Sequence, residues 1–228
     1  MNTHKKTVKF FIVQSLSISN KEAIEIIGQK RVMVNGAIAG VNQSIGPCDE
    51  VRLDDKVLKA AKELVYLAVY KPRGVETTLN NSIRDNLYES FDLAEGLFPV
   101  GRLDKESEGL LLLTNDGRLY QKITHSENHQ EKEYRVTVDK PLTEEAIQRL
   151  SSGIKIIGKM TRPAMVGQID EYTFAITLTQ GLNRQIRRMC YKLGYEVTRL
   201  VRVRIVNIVI GEMKPGEVKW LNEKDVFF

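Results

Sequence analysis

Cysteine and histidine are scarce in this chain of 228 residues. Cys48 and Cys190 lie far apart and form no C-x-x-C pair, and His4, His125 and His129 are the only histidines. No cluster has the spacing of a metal site, so no metal is expected. Long apolar runs are missing too: nothing approaches the roughly 20 residues that span a bilayer. The N-terminus carries no apolar h-region or small-residue cleavage site, which makes a cytoplasmic protein without membrane association the expectation. Internal repeats, low-complexity tracts and a basic C-terminal tail are likewise absent. Any chemistry must therefore run on carboxylates, hydroxyls, lysines and arginines.

What is present is ordinary in bulk and uneven in detail. Hydrophobic residues make up 42% and charged residues 28%, as in soluble globular proteins, and the length suits one full domain plus a small one. The net charge is only +5 with a pI near 9.1. Between Gly181 and Arg204, however, Arg184, Arg187, Arg188, Lys192, Arg199, Arg202 and Arg204 face the single acid Glu196. A solvated charged face usually mixes its signs, whereas a concentrated basic stripe is the footprint of a polyanionic partner.

Residues 1–62 read as a separate module. Val8, Phe11, Ile12 and Leu16 suit one helix, and Ser19 or Asn20 can cap a second through Ala23, Ile24 and Ile27 to Gly28. Arg31 to Val34, Asn35-Gly36 and Ala37 to Ala39 form a hairpin pattern with an Asn-Gly turn. A third strand, Val51-Arg52-Leu53, follows the Gly46-Pro47 break, and the charged stretch Asp54 to Glu63 reads as a linker with some helical character. Residues 63–228 open with a strand, Leu64 to Tyr70, and the turn Lys71-Pro72-Arg73-Gly74. Further strands are expected at Glu133–Val138, Gly153–Ile157, Tyr172–Thr179 and Val201–Ile210, with helices at Gly117–Ile123, Thr143–Leu150 and Arg184–Leu193. Thr143 before Glu144 and Glu145 is a good helix start, the cap and the acids both suiting an N-terminus. The whole is an α+β protein whose larger domain has a mainly antiparallel mixed sheet.

The most informative stretch is Val100 to Gly117, with the sequence VGRLDKESEGLLLLTNDG. One carboxylate, Asp104, sits in a polar loop two residues after Arg102. Leu110 to Leu113 then reads as a short buried strand, closed by Asn115-Asp116-Gly117. Asp104 is thus held at the rim of a core, where by itself it could merely cap a turn. The string resembles the catalytic signature G-R-L-D-x-x-S-x-G-L-L-L-L-T-N-D-G of the RsuA-type pseudouridine synthases, which modify uridines in ribosomal RNA. Lys71-Pro72-Arg73-Gly74 resembles that family's first motif, Lys132-Glu133-Tyr134 its K-E-Y, and Gly181 to Met189 its G-x-x-R-Q-I-R-R-M. Glu131 to Glu145 looks most like the F-type branch, which acts on large-subunit ribosomal RNA. Val32-Met33-Val34-Asn35-Gly36, after two helices, is similar to the V-x-V-N-G of S4 RNA-binding domains. Two departures stand beside it. Thr7 to Ile12 replaces the usual R-L-D-x-Y-L opening, and Ser19-Asn20-Lys21-Glu22 stands where two basic residues usually start the second helix.

The family resemblance implies a role for each motif residue. Asp104 is the nucleophile, attacking C1' or C6 of the target uridine. Arg102 enters the helix space and helps to expel the base; its plainer reading is a phosphate contact. Alternation puts Tyr134, Val136 and Val138 on one face of a strand, so Tyr134 is either a core tyrosine or, as the resemblance implies, a ring stacked on the detached uracil. At helical spacing Ile186, Met189, Cys190 and Leu193 make an apolar stripe opposite Arg184, Arg187, Arg188 and Tyr191. The resemblance pairs Arg187 with Asp104, keeping the carboxylate charged, and sets Leu200 against the uracil. Lys71, Arg73, Arg184, Arg188, Arg199 and Arg202 become RNA-contact candidates.

The implied function is cofactor-free isomerisation of a uridine to pseudouridine by base flipping, in a stem-loop of 23S ribosomal RNA or, alternatively, in transfer RNA or small-subunit ribosomal RNA. A monomer is expected, since no oligomerisation signal stands out. Two rivals are a non-catalytic RNA-binding or ribosome-assembly protein, which would have no need of Asp104, and a carboxylate glycosidase. Retaining glycosidases need a second acid about 5 Å from the first. The nearest acids in sequence, Glu106 and Glu108, read as solvated loop residues.

Overall fold

The computed structural model describes residues 7–46, 48–94 and 96–227; His4 and Pro47, named above, lie outside them. The chain divides into two compact units. One extends to Leu64 and takes in Asn115–Gly117; the other comprises Val65–Thr114 and the chain from Arg118 onward.

The first unit is built from local signals. Helix α1 (Val8–Leu16) is capped by Thr7, whose Oγ1 accepts from Phe10 N at 3.3 Å. Helix α2 (Asn20–Gly28) opens with a capping box: Ser19 Oγ accepts from Glu22 N while Glu22 accepts from Ser19 N at 2.8 Å. Strands β1 (Val32–Val34) and β2 (Ala37–Ile38) form the hairpin, with positive φ at both Asn35 and Gly36, the torsions a tight two-residue turn demands. Strand β3 (Val51–Leu53) pairs with β1. The expected linker Asp54–Glu63 is instead partly a strand, β4 (Lys56–Lys59), antiparallel to β3. Asp54 takes a left-handed turn conformation, held by a bidentate pair with Arg31, and the turn folds the following residues back onto the sheet. Charge composition marks a solvated edge strand as readily as a linker. Val8, Ile12, Ala23, Ile27, Val32, Val34 and Val51 make the core beneath.

The second unit carries strands and helices in mixed order. They are β5 (Tyr66–Lys71), α3 (Leu87–Ser90), β6 (Phe98–Val100), β7 (Glu108–Thr114), α4 (Gly117–Thr124), β8 (Lys132–Val138), α5 (Glu144–Ser152), β9 (Lys155–Ile156), β10 (Lys159–Met160), β11 (Met165–Gln168) and β12 (Thr173–Leu178). Then come α6 (Gln185–Lys192), β13 (Val197–Ile205), β14 (Ile208–Val209), β15 (Val218–Trp220) and α7 (Glu223–Val226). Among the described residues nine strands form one sheet, in the order β11-β12-β8-β13-β7-β5-β15, with β14 on β13 and β6 on β7. Every pairing is antiparallel except β13 with β7, so the sheet is mixed, as expected. The strand expected at Val201–Ile210 starts earlier, at Val197, and breaks at Val206, whose positive φ turns the chain into β14. The strand expected at Gly153–Ile157 shrinks to β9, in a hairpin with β10.

Strand β7 is buried along its whole length, which is why it reads as a continuous leucine run rather than an alternation. Leu111 and Leu113 pack with Leu67, Val69, Leu87 and Phe91 on one side. A second core gathers Val136, Val138, Phe174 and Ile176 of the sheet with Leu150 of α5 and Ile186, Met189 and Cys190 of α6. Burial pushes the Cys190 thiol up to about 12, so it serves as apolar packing.

The parallel contact is short, Val201 opposite Glu108 and Arg202 opposite Gly109. Gly109 has φ +107, and a Cβ there would meet Arg202 O at 2.4 Å and Arg202 N at 2.7 Å. Only glycine lets the two backbones approach so closely. Gly109→Ala is therefore expected to cost more than about 2 kcal/mol, a fall in melting temperature on the order of 5 °C or more. A calorimetric midpoint unchanged by the substitution would mean that β7 and β13 are not pressed together at this point.

Candidate active site

The loop between β6 and β7, Gly101 to Ser107, is fastened by its own carbonyl groups. Arg202 donates from Nη1 to Arg102 O at 3.4 Å and from Nε to Leu110 O at 2.7 Å. Lys71 Nζ reaches Lys105 O at 3.5 Å while holding Pro72 O and Val75 O. Arg187 Nη2 donates to Glu106 O at 2.9 Å. Buried Thr77 completes the clamp, accepting from Leu103 N and donating to Leu103 O at 2.6 Å. Three cations on three other segments thus hold one loop, and Asp104 stands in the middle of it.

Asp104 lines a cavity of about 540 Å³ together with Arg102, Tyr134, Arg184, Arg187, Leu200 and Arg202. Seven residues singled out from three separate motifs and from β13 therefore share one space. Tyr134 lies opposite Arg202 across the β8–β13 pairing and packs against the second core. Leu200 is buried in that same core at the cavity wall. Arg102 stands at the rim, its side chain 75% exposed and 3.4 Å from Glu76.

Several sequence expectations need correction. The direct ion pair of Asp104 is with Arg184, at 3.8 Å, while Arg187 acts on the carboxylate only through its field. Arg187 spends its guanidinium on the carbonyls of Val197 and Glu106, and its burial draws its pKa below the usual arginine value. Arg184 can reach the Asp because it sits in a left-handed conformation just before α6. Two proposed RNA contacts are not on the surface at all: Lys71 is 0% exposed and Arg202 2%. Each has its donors turned inward onto carbonyls, a location that one-dimensional charge counting cannot see. Arg73, Arg188 and Arg199 do remain at the surface, on Glu106, Asn183 and Glu108 respectively. Glu106 is half-exposed, but Glu108 is not a solvated loop residue. It opens β7, is 8% exposed, and accepts from Arg199 Nε at 2.6 Å and from the Tyr70 hydroxyl at 3.3 Å.

Sequence reasoning also passed over Thr77, Gln185 and Lys132. Gln185 is buried and caps the preceding loop by accepting from Leu182 N at 3.0 Å. Lys132 lines the cavity, donating to Ile123 O and Gln130 O at 3.2 Å each. Its spacing two residues before Tyr134 was the available signal, since residues two apart share a strand face. Among the described residues no group of three or more His, Cys, Asp or Glu gathers as metal ligands, and no helix is long and apolar enough to cross a membrane.

One carboxylate ringed by guanidiniums, beside an aromatic ring and an apolar wall, can take a flat polar ring carried on a sugar-phosphate chain. The comparisons agree with that geometry. A family model described as RNA pseudouridylate synthase matches residues 65–192. The dual-specificity RNA pseudouridine synthase RluF of Escherichia coli (strain K12) is 41% identical over 218 residues, covering 95% of this chain and 75% of the relative. Ribosomal small subunit pseudouridine synthase A of Haemophilus influenzae is 32% identical over 222 residues, covering 95% of this chain and 96% of the relative. A solved structure titled as a pseudouridylate synthase, 30% identical, superposes with a TM-score of 0.68 over 96% of this chain and 97% of its own. The chain belongs to the RNA pseudouridine synthases, which isomerise uridine to pseudouridine within RNA. Within them it lies in the RsuA-type branch, close to the RluF proteins.

Glu106 and Glu108 separate this chemistry from two-carboxylate sugar hydrolysis. Glu106→Gln is expected to leave uridine isomerisation within about twofold, because an exposed ion pair contributes little. Glu108→Ala is expected to lower stability by about 1–3 kcal/mol, since it strips buried partners from Tyr70 and Arg199. Activity assays with paired melting curves check both, and abolition of turnover in Glu106→Gln would count against a single-carboxylate mechanism.

Proposed function

We propose that Asp104 is the nucleophile and that the cavity around it receives a uridine turned out of an RNA stem-loop. The observation that carries this reading is the convergence of Asp104, Tyr134, Leu200 and the start of α6 on one cavity. A base stacked in a stem cannot reach a carboxylate at the rim of a sheet, so it must leave the helix, at a cost of a few kcal/mol for unstacking. Arg102, exposed at the mouth, is the side chain that fills the vacated space. Inside, the Tyr134 ring and Leu200 hold the uracil from its faces while Asp104 attacks the nucleoside. The detached base then turns and rejoins through C5, with no cofactor and no net exchange of atoms beyond the C5 proton.

The substrate we propose is a stem-loop of 23S large-subunit ribosomal RNA. The RluF relatives are named dual-specificity, so transfer RNA belongs in the same assay. Arg73, Arg184, Arg188 and Arg199 are the phosphate contacts, being the cationic candidates whose side chains reach the surface. The first unit we read as an S4-like RNA-binding module. Its two capped helices and antiparallel strands, with Asn35-Gly36 at the turn, support this. We place the enzyme in the cytoplasm, acting as a monomer.

Tritium release from RNA carrying 5-tritiated uridine tests the catalytic reading, with large-subunit ribosomal RNA, small-subunit ribosomal RNA and transfer RNA as parallel substrates. Asp104→Asn is expected to bind RNA and release no tritium; release at the unaltered rate would remove Asp104 from the chemistry. Arg188→Ala and Arg199→Ala are expected to weaken binding and to lower the slope of log affinity against log salt by about one each. Unchanged slopes would take these arginines away from the phosphates.

A further inference from the structure

Three cations are packed into the catalytic unit without a carboxylate partner among the described residues. Lys71 and Arg202 are fully buried and Lys132 is half-buried. Their hydrogen bonds go only to backbone carbonyls, and the third guanidinium nitrogen of Arg202, Nη2, is buried with no partner at all. Charge without a direct ion pair is costly to bury, and perturbed buried cations cluster at functional sites. Lys71 is taken up by the loop clamp. Arg202 and Lys132 both line the cavity that holds Asp104. Strand register explains why: Lys132 and Tyr134 share one face of β8, and Tyr134 lies directly opposite Arg202 on β13.

The reaction makes an anion in this space by every route open to it. If the C1'–N1 bond breaks with its electron pair left on the base, uracil departs as an anion with its charge shared by N1, O2 and O4. If the Asp104 carboxylate adds to C6 first, the C5=C6 electrons move onto C5 and O4 as an enolate. In the first route Asp104 takes C1' and is displaced from it when C5 attacks; in the second the Asp104–C6 bond breaks once the C1'–C5 bond has formed. In both the carboxylate is released, the C5 proton leaves to solvent, N1 takes up a proton and the charge on the base is discharged. We propose that Arg202 and Lys132 form a fixed positive floor whose field stabilises the negative charge on the uracil while it is detached. This rests on the reading of the cavity as the active site. A guanidinium already bound to Leu110 O and Arg102 O cannot reorient, so its field is in place before the charge develops. Burial and the neighbouring Arg202 together draw Lys132 down to about 8, so its charge is present below that pH and lost above it. The other charged or titratable groups facing this space are Arg102 and Asp104 on the loop, Tyr120 in α4 and His125 after it, Tyr134 on β8, and Arg184 and Arg187 at α6.

The test is single-turnover tritium release at saturating RNA, followed between about pH 6 and 9.5 to span the Lys132 titration. The unaltered enzyme is expected to slow above about pH 8, where Lys132 discharges. Lys132→Arg, which stays charged throughout, should push that alkaline limb up by more than about one pH unit. Arg202→Met should slow the chemical step on the order of 10²-fold with RNA affinity held within about twofold, and Arg202→Lys should recover at least about tenfold of the loss. A limb unmoved in Lys132→Arg, or an Arg202→Met rate within about threefold of normal, overturns the proposal; should Arg202→Met fail to fold, the Lys132 profile decides alone. Asp104→Asn is run alongside: if it still releases tritium, the active-site reading fails, whereas an inactive Asp104→Asn with an unmoved limb sinks only the electrostatic floor.

Discussion

The placement of Asp104 depends on a loop held by its carbonyls. Arg202, Lys71 and Arg187 each donate to a different carbonyl between Arg102 and Glu106, and Thr77 closes the set. A loop of seven residues with this many charge-assisted anchors has little freedom left, and catalysis by a positioned carboxylate needs that rigidity. Neutral hydrogen bonds would hold it less firmly than these charged donors. The arrangement also leaves the Asp104 side chain itself unclamped, with Arg184 beside it at 3.8 Å as an ionic neighbour.

The clamp in turn requires the sheet to be tight where the loop enters it. Lys71, Gly109, Arg202 and Tyr134 fall on one row across β5, β7, β13 and β8. Gly109 makes that row possible because any side chain would collide with the backbone of Arg202. The one parallel pairing among the described strands therefore carries Arg202, the residue whose guanidinium holds the loop of Asp104. It brings the arginine-rich segment from α6 through β13 against the loop that precedes β7, so one backbone contact joins two motifs about a hundred residues apart.

The basic stripe turns out to have two uses. Part of it faces outward, as Arg188 and Arg199 do, and suits a polyanion. The other part, Arg187 and Arg202, is spent inside on carbonyl groups, at a desolvation cost only partly recovered, since Arg187 Nε and Arg202 Nη2 are buried without a partner. The stability given up by burying such groups is consistent with a site whose electrostatics exist before the substrate arrives.

Local structure was legible in the chain wherever a short-range signal determines it. The capping box at Ser19 and Glu22, the Asn35-Gly36 turn, the Thr143 cap and the leucine run of β7 each depend on neighbours within a few residues. The motif residues of the site were equally visible, because their order and spacing are carried by the sequence itself. What the sequence could not express is direction. Alternation and charge say that Lys71 and Arg202 are cations near a strand end, and only the packed sheet shows that they point inward. The direct ion pair of Asp104 with Arg184, the burial of Glu108 and the strand at Lys56–Lys59 have the same origin. Each is settled by a partner well separated in the chain, Glu106 for Arg187, Tyr70 and Arg199 for Glu108, Arg31 for the turn at Asp54. The sequence by itself determined the chemistry available and the elements that carry it. Tertiary structure alone decided which cations reach the surface and which turn inward onto carbonyls, because the desolvation and pairing that separate them exist only once the strands are in register.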